Sequence, residues 1–135
     1  MTRSPPLRLA IGAALLTLAP ALAEAHHSFA MFDYSKTVTL NGVIKSFEWT
    51  NPHAVMFVVA SPDGSPAETW SVELGSPGNL KRDGWTRDVV KPGDKVALVI
   101  HPLRDGGHGG SFSQVTLVAT GQVLKTGPVQ GAPHP

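Results

Sequence analysis

Thr37-Val38-Thr39-Leu40-Asn41-Gly42-Val43-Ile44-Lys45-Ser46-Phe47-Glu48-Trp49 is the stretch that decides how this chain folds. Val38, Leu40, Gly42 and Ile44 recur in steps of two, and Phe47 and Trp49 follow. That is the period of a strand with one buried face. Its length predicts a curved strand, with Gly42 marking a bend or bulge.

Working outward, the run from Ala54 to Ala60 is almost wholly apolar, and Pro62-Asp63-Gly64-Ser65 supplies turn chemistry after it. Trp70, Val72 and Leu74 then alternate with Thr69, Ser71 and Glu73, so the two segments form a hairpin. Ser76 reads as a helix N-cap, Pro77 as the first helical residue and Gly84 as a left-handed terminator of a short helix. Trp85 is expected to pack back onto the strands. Lys91-Pro92-Gly93-Asp94 is a turn into a strand over Lys95 to His101, and a last strand runs from Ser111 to about Thr120. Three strands, a short helix and two strands is the element order of an all-β, five-stranded OB-like barrel, with the helix between strands 3 and 4.

The two ends read differently. Arg3 and Arg8 precede an apolar run from Leu9 to Leu22, and Ala23-Glu24-Ala25 follows. This is the order of a secretion signal, and the run is too short to span a bilayer as a stable anchor. The expected organisation is a cleaved leader at 1–25, a barrel domain at 26–120 and an unstructured tail at 121–135, in a protein exported to the periplasm. Loss of the leader leaves nine basic and nine acidic residues. With no basic excess, the charge balance predicts no nucleic-acid partner. The absence of cysteine leaves stability to packing and provides no thiolate ligand.

The histidines carry the functional reading. In an OB barrel the loops joining strands 1 and 2 and strands 4 and 5 frame the ligand surface. Here they contain His53 on one side and His101 and His108 on the other, while His26 and His27 open the mature chain. A mature N-terminal histidine offers its amine and ring nitrogen to one ion, and another imidazole completes a nitrogen set that suits Cu(II). The expected ligands are His26, His53 and His101, with His27 and His108 as further candidates and Met56 as a soft donor for Cu(I). Imidazoles alone also suit zinc. The plainer alternative is that these histidines only fix loops. A second functional class is a periplasmic module binding a small ligand or partner protein on a barrel face around Trp49, Asn51 and Trp70. No carboxylate pair, triad or phosphate loop is present, so the chain carries no enzyme signature.

His26-His27-Ser28-Phe29-Ala30-Met31-Phe32-Asp33, Trp49-Thr50-Asn51-Pro52-His53, Ser76-Pro77 with Leu80, Arg82, Gly84 and Trp85, Lys91-Pro92-Gly93-Asp94, and His101-Pro102 with Arg104-Asp105-Gly106 form a series of blocks in fixed order. The pattern resembles a family of exported bacterial domains of unknown function, numbered 6152. The resemblance covers about His26 to Leu117. It implies that His26, Asn51, Pro52, His53, His101 and Pro102 belong to a recurrent pattern and that His108 does not, and it implies no activity.

Overall fold

The computed structural model describes Met1 and residues 30–127. The expected leader, His26, His27 and His134 lie outside the described residues. Six strands form: β1 Val38–Glu48, β2 Val55–Ala60, β3 Glu68–Glu73, β4 Lys95–Pro102, β5 Gly109–Leu117 and β6 Val123–Lys125. Helix α1, Pro77–Arg82, sits between β3 and β4. The sheet order is β3-β2-β1-β4-β5-β6, and a further parallel pairing of β3 with β5 closes the first five strands into a barrel.

β1 serves both halves of the barrel. Val38 to Val43 pair with β4, and Gly42 to Glu48 pair with β2, so the strand must bend where the two sets overlap. Gly42 lies in that overlap, where a Cβ would run into the Val59 carbonyl oxygen. The register then shifts between Ile44 and Ser46, a bulge that increases the local bend.

The period of two delivers the core. Leu40 and Ile44 of β1, Met56 and Val58 of β2, Val72 of β3, Val96, Leu98 and Ile100 of β4, and Val115 of β5 are fully buried together. Each such side chain contributes about 1.5–3 kcal/mol by leaving water. Helix α1 sends Leu80 into the buried core cluster. The Ser76 hydroxyl accepts from the Asn79 amide at 3.3 Å, Leu80 is buried, and Gly84 follows at a φ of 84°. Trp85 then turns inward and meets Phe112 edge-on at 5.3 Å.

Four expectations change. Trp49 and Trp70 do not present a ligand face: they are 9% and 8% exposed, because strand parity turns Trp70 inward beside Val72. Met56, at 0% exposure, is core and not a soft metal donor. The last barrel strand starts not at Ser111 but at Gly109, so Gly109 and Gly110 are its first residues. The chain past Gly121 adds β6 to β5, and the Trp85 indole N–H donates to the Lys125 carbonyl at 2.9 Å.

A Cβ at Gly110 would lie 2.5 Å from the His101 carbonyl oxygen and 2.8 Å from Ile100 Cδ1. Gly110→Ala is therefore expected to lower stability by about 1–3 kcal/mol, read as a lower urea midpoint at unchanged slope. Leu98→Ala, which opens a cavity in the core, is expected to cost about 2–5 kcal/mol in the same measurement.

Candidate functional site

The chain enters the barrel as a strap laid over the β4–β5 loop. The Asp33 amide donates to the Pro102 carbonyl at 2.8 Å, and the Arg104 amide donates to the Met31 carbonyl at 2.9 Å. The Arg104 Nε donates to the Ala30 carbonyl at 3.1 Å, and buried Phe32 bridges to Leu103. The strap then turns at Asp33. Its Oδ1 accepts from the Ser35 hydroxyl at 2.6 Å and the Ser35 amide at 3.2 Å, and Lys36 Nζ lies 3.1 Å from Oδ2. These donors, the Ser35 side chain foremost and Lys36 next, pull the Asp33 carboxyl from 3.8 down to about 2.

Behind the strap, one register row crosses four strands. Val55 of β2 pairs with Glu73 of β3, Glu73 with Ser111 of β5, and Ser111 with His101 of β4. Cross-strand partners share a face, and here it is the outer one, since the core residues alternate with them. Past Val55 the row is polar, and its Ser111 is buried, with the Tyr34 hydroxyl 3.4 Å from its Oγ.

Two expected ligands flank this row. His101 Nδ1 lies 2.8 Å from the Lys36 carbonyl, which can only accept, so Nδ1 carries the proton and the ring lone pair sits on Nε2. The Tyr34 ring packs against the same imidazole at 5.0 Å. His53 Nδ1 lies 2.5 Å from Glu73 Oε1. His108 is held apart, its ring 5.1 Å from that of Trp70, whose buried indole N–H has no hydrogen-bond partner among the described residues. Among the described residues, no three His, Asp or Glu side chains gather closely enough to hold a metal. Asn51 is exposed in the β1–β2 loop.

Sequence reasoning passed over Tyr34, Ser111 and the strap, and set Glu73 aside as an isolated carboxylate. The alternation of β3 does turn Glu73 outward. Only the parallel β3–β5 register puts it beside Ser111, and no local pattern announces such a pairing.

The profile of a family of unknown function, DUF6152, matches residues 14–113. The chain belongs to that family. No curated protein matches the sequence. Among solved structures, the fold is similar to that of Rim1, a mitochondrial single-stranded DNA-binding protein from S. cerevisiae. The identity is 13% and the TM-score 0.44, with 68% of this chain and 97% of that chain covered. So distant a likeness carries no argument about what this DUF6152 member binds. The exclusion of nucleic acid drawn from the charge balance does not stand on its own terms: single-strand binding also uses base stacking on aromatic rings, which a charge count does not register. That exclusion is withdrawn. Among the described residues, no helix is long and apolar enough to cross a membrane.

Because the folded Asp33 carboxyl titrates below its ordinary range, the strap turn is fully stabilised above about pH 4 and loses that support as pH falls toward 2. The Ser35 amide resonance is expected to shift across that window in nitrogen–proton spectra. Asp33→Asn abolishes the acid transition.

Proposed function

We propose that this exported domain binds a transition metal, Cu(II) by preference, through the mature N-terminal His26 amine and ring together with a barrel imidazole, that of His101 or of His53. The observation that carries the reading is the way His101 is held. Histidines that ligate metals donate their other ring N–H to a carbonyl or carboxylate, which fixes the tautomer and orients the ring. His101 donates from Nδ1 to the Lys36 carbonyl, and His53 places the same nitrogen against the Glu73 carboxylate.

The course of the chain supports the N-terminal part of the site. Ala30 and Met31 are tied to Arg104, on the loop that follows β4 and its penultimate residue His101. Met31 lies five positions after His26, a span that reaches at most about 18 Å when extended. A histidine amine and ring supply two nitrogens in one chelate, and a barrel imidazole adds a third toward the tetragonal set that Cu(II) favours. Cleavage of the leader creates the amine, which restricts the complete site to the exported form. Binding displaces the proton of the N-terminal ammonium, so affinity rises with pH.

Competition titration of the protein beginning at His26 is expected to show tight Cu(II) binding that a Met-extended form lacks. Glu73→Gln, which weakens the hold on His53, is expected to cost about 10–100-fold in affinity if His53 supplies that imidazole. Equal affinity of the two N-terminal forms removes His26 from the site.

A further inference from the structure

A cleft of about 130 Å³ opens between the strap and the β3–β5 seam. Met31, Phe32, Val55 and Leu103 give it apolar walls, and Glu73 and His108 stand on its rim. We infer that this cleft binds a small phenol, its ring between Met31, Val55 and Leu103 and its hydroxyl donating to the Glu73 carboxylate.

Size, shape and polarity each narrow the occupant. An apolar cavity of about 150 Å³ holds benzene, so this cleft takes one six-membered ring with little added to it. Gly109 and Gly110 line it with bare backbone. The Phe32 ring in the lining favours an aromatic ligand over a branched chain, through offset or edge-on ring contact.

The lining contains no lysine or arginine, and its one carboxylate repels anions. Glu73 already meets His53, but a carboxylate has about four acceptor sites and takes more than one donor. Ser71 and His108 also line the cleft and can donate or accept, so the Glu73 carboxylate is the lining side chain that favours a ligand whose polar end donates. A phenol joins one ring to one donor, with no charge to desolvate. The cleft shares Glu73 with the metal reading, through His53, but binding of the phenol needs no ion.

The test uses metal-free protein beginning at His26, with methyl resonances of Met31, Val55 and Leu103 followed by carbon–proton NMR. Phenol is expected to shift all three saturably, with a dissociation constant on the order of 1 mM for seven heavy atoms. Toluene, which lacks the donor, and Glu73→Gln with phenol are each expected to bind about tenfold more weakly. Benzoate leaves the methyls unmoved. Val55→Phe fills the cleft and abolishes the response while the amide spectrum of the far side of the barrel persists. Unmoved methyls with phenol, or equal affinities for phenol, toluene and benzoate, overturn the inference. A failed copper titration does not touch this result, since no metal is present.

Discussion

The parallel contact between β3 and β5 is the constraint on which the rest of this molecule depends. Ser71 pairs with Gly109, Val72 with Gly110 and Glu73 with Ser111. Those three pairs turn a sheet with two open edges into a closed barrel. The backbones approach so closely at Gly109 and Gly110 that a Cβ on either would strike a carbonyl oxygen. Closure also determines what lies outside. It aligns Glu73, Ser111 and His101 in one row and brings the β4–β5 loop round to where the N-terminal strap can hydrogen-bond to it.

Much of this architecture was legible in the residues. Steps of two from Val38 to Ile44 marked a strand, and inward parity in β2 and β4 follows from Met56, Val58, Leu98 and Ile100. Ser76, Pro77 and Gly84 mark the helix because capping, ring closure and a left-handed φ are local requirements. What stayed hidden depends on distant contacts. Glycines read as loop until a second strand is seen to need their missing side chains. Alternation shows that Trp70 and Ser71 face opposite ways, but not which face the barrel encloses. β6 is three residues long, paired with β5, and its link to Trp85 spans 40 positions in sequence.

The candidate site divides along the same line. Histidine positions and their loops could be read directly, whereas the partners that orient the rings could not. The Lys36 carbonyl behind His101 comes from a turn organised by Asp33, and Glu73 behind His53 comes from the adjacent hairpin strand. Such partners separate a histidine suited to ligate a metal from one that decorates a loop. Burial of Trp49 and Trp70 takes their rings out of any ligand face, and the inferred phenol is placed instead in the cleft under the strap.

Paramagnetic broadening tests most directly whether the mature N-terminus and a barrel histidine share one ion. One equivalent of Cu(II) is added to isotopically labelled protein beginning at His26, and loss of amide signal is mapped onto the fold. The account predicts that resonances of His101, Ser111, Glu73 and His53 vanish together while those of Val43 and Val118, on the exposed opposite end, persist. Broadening confined to the first residues of the chain, with the Ser111 row sharp, contradicts it.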